Sequence, residues 1–202
     1  MSANGDPRFY DLRTALLVDQ DAALERIRAD STLLDVRSGL GETLLHWFAV
    51  EYREDIVKAL LQHGAAVDPT NHFGSTPFAE AAQLRNEKMC SLLLEHGAAI
   101  DPVNQNGETP LKLAAWMGEI ATCRFLLNLG AAASFINADG ESVLAASVHS
   151  GRIEVVEAAL EHLDPAHDIN SLVGDYDAHM LHQIDSDITK LLQKRGLRPD
   201  PY

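Results

Sequence analysis

"GSTPFAEAAQLRNEKMCSLLLEHGAAIDP", residues Gly74 to Pro102, decides how the rest of the chain is read. Alone it is an alanine- and leucine-rich stretch broken by glycines. Beside "GETPLKLAAWMGEIATCRFLLNLGAAAS", which begins at Gly107, it is one of two copies of a pattern. Outward from there, Gly41, Gly74, Gly107 and Gly140 stand 33 residues apart, and Gly64, Gly97, Gly130, Leu163 and Gly196 keep the same step. After the first series come "ETLLHWFA", "STPFAEAA", "ETPLKLAA" and "ESVLAASV". A fixed period of this length marks stacked units, each burying its apolar face only against its neighbours.

Each recurring residue has a physical task. Thr76-Pro77 and Thr109-Pro110 suit a helix start, with Thr as cap and Pro in the first turn. Ala81-Ala82 and Ala114-Ala115 are small enough for two helices to approach closely. Leu92-Leu93-Leu94 and Phe125-Leu126-Leu127 supply core, and Gly97 and Gly130 close the second helix where a left-handed residue costs least.

These motifs resemble the ankyrin repeat, a β-turn followed by two antiparallel helices with the hallmark T-P-L-H-x-A-A and a second helix ending L-L-x-x-G-A. The resemblance spans essentially the whole chain. It implies an all-α solenoid, one domain over 1–202, with frames at roughly 5–37, 38–70, 71–103, 104–136, 137–169 and 170–202. The outer two frames are degenerate, as capping units with a polar outer face must be. Departures from the pattern carry expectations. Leu44 replaces Pro, and Trp47-Phe48 replace smaller residues, so packing there is bulkier. Ser142-Val143 stand where Thr-Pro would, which predicts a looser turn.

The charge balance is acidic: 16 basic against 30 acidic residues, a net −14. Such a field repels phosphate backbones and anionic lipid and favours a basic protein partner. No run of apolar residues approaches membrane-spanning length, and the N-terminal stretch lacks a secretory pattern. No nucleic-acid or membrane binding is expected, and a cytoplasmic, monomeric protein is. Cys90 and Cys123, one repeat apart on second helices, read as buried, reduced packing residues.

Catalytic signatures are missing: there is no glycine-rich phosphate loop, C-x-x-C, H-E-x-x-H or G-x-S-x-G, and no cofactor is expected. His63, His96 and His162 share one place near second-helix ends, where a cation-capable side chain is favoured. His179 and His182, with Asp175 and Asp177 nearby, form the best metal-capable cluster, though His179, like His46, falls where the resemblance implies a turn-bonding histidine.

In the resembled family, partners contact turn tips and the solvent side of first helices, which line a concave face. Carried over, those positions are Leu40, Glu42, Val50 and Glu51; His72, Phe73, Ser75, Gln83 and Leu84; Gln105, Asn106, Glu108, Trp116 and Met117; and Asp139, Glu141, His149 and Ser150. Phe73, Leu84, Trp116 and Met117 make an apolar centre, and Glu42, Glu51, Glu108, Asp139 and Glu141 an acidic rim. The expectation is a non-catalytic interaction module that masks or inhibits a basic protein, as an immunity protein or antitoxin does. An assembly chaperone or adaptor, or a metal enzyme using the C-terminal histidines, is the alternative.

Overall fold

The computed structural model describes residues 5–173 and 186–198. The chain divides into two compact units, Met1–Gln105 and Asn106–Tyr202, the division falling in the turn that opens a repeat.

The first unit holds three antiparallel helix pairs: α1 (Pro7–Val18) with α2 (Gln20–Ala29), α3 (Leu44–Val50) with α4 (Glu54–Gln62), and α5 (Pro77–Gln83) with α6 (Glu87–Glu95). A 3-10 turn, Ser31–Asp35, leads out of the first pair. First helices stack on first helices, α3 on α5, and second on second, α2 on α4 and α4 on α6. In the second unit α7 (Pro110–Trp116) pairs with α8 (Ile120–Asn128), and α9 (Val143–His149) with α10 (Ile153–Glu161). There α7 lies on α9, α8 on α10, and α10 on α11 (Ser186–Lys194).

The helices begin where the hydroxyls predict. Thr76 Oγ1 accepts from the Ala79 amide at 3.2 Å, and Thr109 Oγ1 accepts from Lys112 at 3.2 Å, with Pro77 and Pro110 in the first turn. The looser turn expected at Ser142-Val143 is not found. Ser142 is fully buried, its Oγ accepts from the Ala145 amide at 2.9 Å, and the same hydroxyl donates to the Leu172 carbonyl. Serine caps as well as threonine, and the second bond anchors the turn to the following segment.

The second helices α4, α6 and α8 end on glycine. Gly64, Gly97 and Gly130 have φ of 93°, 89° and 97°, a region that a side chain enters at a cost. At Gly97 the amide donates to Leu94 O at 3.0 Å and the Ala98 amide to Leu93 O at 3.0 Å, satisfying two carbonyls the helix leaves open.

Between the helix layers sits the core. In the first unit Phe9, Leu12, Phe48, Ile56, Phe78, Met89 and Leu93 are fully enclosed. In the second, Leu111, Leu126, Leu144, Val156 and Leu192 are. Trp47 is half-buried, with the Arg13 guanidinium 4.6 Å from its ring centroid and Phe9 packed edge-on. The bulk expected at this repeat is thus absorbed by the N-terminal helix pair.

Candidate functional site

One side-chain device shapes three of the turn tips. Asn71 Oδ1 accepts from the Phe73 and Ser75 amides at 2.9 and 3.0 Å, and Asn137 Oδ1 accepts from Asp139 and Glu141 at 3.1 and 2.9 Å. Ser38 Oγ does the same for Leu40 and Glu42, at 3.2 Å each. A short polar side chain that mimics a backbone turn is the physical reason. Spacing alone could have exposed this position, since Ser38, Asn71 and Asn137 fall in register, but hydrophobic patterning does not.

In the first unit these turns are stitched to one another. The His72 amide donates to Leu40 O at 2.9 Å, and the Gln105 amide to Phe73 O at 3.2 Å. A Cβ at Gly41 would lie 2.5 Å from the His72 ring, so that glycine lets the imidazole close over the turn. Phe73, 62% exposed, and Leu40 stand at the tips, while Leu84, 43% exposed, stands with Gln83 at the end of α5. Val50 is half-buried and Glu51 exposed at the equivalent end of α3. Glu42 is half-buried and accepts the Ser38 hydroxyl at 2.8 Å, so this rim carboxylate also belongs to the turn.

Behind the tips lies a buried polar layer. The Thr43 amide donates to His46 Nδ1 at 3.2 Å, which places the ring proton on Nε2, 3.0 Å from Ser75 O in the next repeat. Burial holds the His46 pKa below its usual value. Glu80, at the unrestricted position of the motif, accepts from Asn71 Nδ2 at 2.8 Å. Burial, with the charge of Glu42 adding to it, raises its carboxyl to about 7.

In the second unit Trp116 and Met117 are 53% and 57% exposed at the end of α7. The indole lies parallel to the His149 imidazole at the end of α9, with ring centroids 5.9 Å apart and planes 8° from parallel. Trp116 thus lies against the next repeat's first helix. Asp139 is exposed, and Glu108 is half-buried. Glu141 has a structural partner that the sequence did not reveal. Lys112, only 5% exposed, occupies the place His46 holds in its own repeat and puts Nζ 2.7 Å from Glu141 Oε2, which also accepts from Asn137 Nδ2 at 3.2 Å. The Lys112 hydrogen bond and charge keep the Glu141 carboxyl below the usual range.

The other histidines resolve into helix ends. His63, His96 and His162 place Nδ1 at 2.8, 2.9 and 3.0 Å from the carbonyls of Ala59, Leu92 and Ala158, four residues back. Each donates to a carbonyl in the last turn of its own helix, and at Leu92 and Ala158 that carbonyl has no partner in the helix ladder. Two residues past the Gly64-Ala65-Ala66 that follows His63, Asp68 Oδ2 accepts the Ala99 amide at 2.9 Å. Cys90 and Cys123 are free and buried, and burial pushes both thiols up to about 12, so neither supplies a thiolate at neutral pH. Among the described residues no three His, Cys, Asp or Glu side chains gather as a metal site. His179, His182, Asp175 and Asp177 lie outside those residues. No described helix is long and apolar enough to cross a membrane.

Stacked helix pairs on a 33-residue period, with exposed apolar residues recurring at turn tips and first-helix ends, define a repeat protein of the interaction class. A family model described as ankyrin repeats (3 copies) matches residues 14–104, 55–135 and 97–173. The chain belongs to the ankyrin-repeat family, whose members are protein–protein interaction modules. Comparison with curated proteins gives no match.

Proposed function

We propose that the chain binds a basic protein through its turn tips and first-helix ends, and acts non-catalytically by masking that protein. The supporting observation is Trp116 and Met117, both more than half exposed at the end of α7 in a chain of net charge −14. Large apolar side chains left in water at a fixed repeat position favour a partner that covers them, and tryptophan is the commonest anchor of such contacts. Glu108, Asp139 and Glu141 stand in the same unit. Acidic charge around an apolar centre speeds encounter with a basic surface and discriminates against acidic ones.

Masking is favoured over joining several partners because the exposed apolar residues recur at the same two positions, turn tips and first-helix ends, and so suit contacts of one kind. Immunity-protein or antitoxin action is one concrete form. A reducing compartment such as the cytoplasm suits the free Cys90 and Cys123 thiols.

Affinity capture from native lysate, comparing wild type with the double variant Trp116→Asp/Met117→Asp at equal helicity, tests this. A basic protein held one-to-one, released by salt and lost from the variant is expected. Equal capture by both proteins, or binding indifferent to salt, would overturn the reading.

A further inference from the structure

We propose that the Trp116–His149 stack seats an arginine side chain of the basic partner; this deepens the preceding reading and rests on it. Trp116 closes α7 and His149 closes α9, and these helices pack together within the second unit. Two rings at one repeat position therefore meet in parallel, 8° apart, with centroids offset to 5.9 Å. The neighbouring helix ends fix the platform before any ligand arrives, which lowers the ordering cost of binding. The stack does not bury the indole: 53% of Trp116 stays exposed, and His149 is exposed as well. A planar π surface open to water takes a planar cation well.

The charge around the platform selects the sign. Glu141 is close enough to His149 for their charges to interact. Its bonds to Lys112 and Asn137 both fall on Oε2, so the carboxylate is held in place while Oε1 can accept a further donor. Lys112 itself is enclosed and occupied with Glu141. Asp139 lies exposed on the same turn. A cation over the rings thus meets the negative charge of Glu141.

Arginine fits better than lysine for two physical reasons. The guanidinium is flat, delocalised and weakly hydrated, so it stacks on an aromatic plane at little desolvation cost. Its forked N–H groups can also engage a carboxylate while it is stacked. The chain shows the same preference internally, since the Arg13 guanidinium sits 4.6 Å from the Trp47 ring centroid.

Acetylated, amidated hexa-arginine and hexalysine, equal in charge, are titrated at low salt into the full-length protein. The indole N–H resonances of Trp47 and Trp116 are followed, the latter assigned by its loss in Trp116→Leu. Hexa-arginine should bind about fivefold more tightly than hexalysine and move the Trp116 resonance. The preference should vanish in Trp116→Leu and shrink in His149→Ala, both checked for unchanged helicity. Equal binding of the two peptides, or a preference that survives Trp116→Leu, overturns the arginine seat and leaves the basic-partner reading standing. Failure of both peptides to bind overturns the two together.

Discussion

Lys112 Nζ and Glu141 Oε2 lie 2.7 Å apart, joining the first helix of one repeat to the turn of the next. The two ends are unequally placed, with the lysine side chain 5% exposed and the glutamate 61%. Glu141→Gln leaves an enclosed ammonium without its counter-charge, whereas Lys112→Met leaves a carboxylate that water can solvate. The glutamine variant should lose about 1–2 kcal/mol, the figure for a buried pair being discounted for the exposed partner. Lys112→Met should lose less. Urea denaturation of both variants measures the order, and the reverse order would refute this account.

Backbone strain gives a second prediction. Two residues past the ends of α3, α5, α7 and α9 the backbone is left-handed, with φ of 58° at Tyr52, 52° at Arg85, 71° at Gly118 and 67° at Gly151. Two repeats use glycine and two do not. Arg85→Gly should therefore stabilise the protein by about 1 kcal/mol, since it removes the steric cost of a Cβ in that region. Gly151→Ala should cost about as much, through the backbone alone, because nothing lies within 4 Å of the added Cβ. Gly118→Ala should cost more, its Cβ being 3.0 Å from Arg152 Cγ. Thermal melting separates the three.

Two buried titrations oppose each other in the first unit. Glu80 titrates near 7 when folded and 4.5 as its reference, so the folded state holds the extra proton and stability falls as pH rises through that window. Glu80→Gln should gain on wild type between pH 5 and 8, by on the order of 1 kcal/mol once solvent screening is allowed for. His46 has the opposite sign. Its folded pKa lies below the reference 6.5, so its contribution is complete above that value and is lost as pH falls. Denaturant midpoints taken across this range check both signs, and a Glu80→Gln difference that does not change with pH would refute the first.

The thiols of Cys90 and Cys123 should be silent to a water-soluble disulfide reagent at pH 8 in the native protein and react fully in denaturant. Both side chains are buried, and burial pushes both pKa values up to about 12. Rapid labelling of the folded chain would show that a second helix opens readily.

Much of the helical plan was legible because apolar spacing and capping residues act locally. Thr76, Thr109, Gly97 and Gly130 do in the structure what their positions imply. The polar bonds that cross between repeats were legible only in part. The resemblance implied that His46 bonds turn backbone, as it does at Thr43 and Ser75. Lys112 with Glu141 and Asp68 with Ala99, however, join residues about 30 positions apart, and patterning within a single repeat carries no sign of them. Ser142 was misread for the same reason, since its second bond, to Leu172, is non-local. Trp116 and Met117 are exposed, as the family pattern implies. The partner chosen for Trp116 was out of reach, because what decides it is the ring at the end of a different helix.

The bond from His46 Nε2 to Ser75 O has a consequence for how the protein is made. A chain synthesised from its N-terminus presents His46 well before Ser75 exists. During that interval the imidazole has no carbonyl to meet, and the repeat that holds it stays unfinished. The repeat that holds His46 therefore gains its last polar bond only once the following turn has been made.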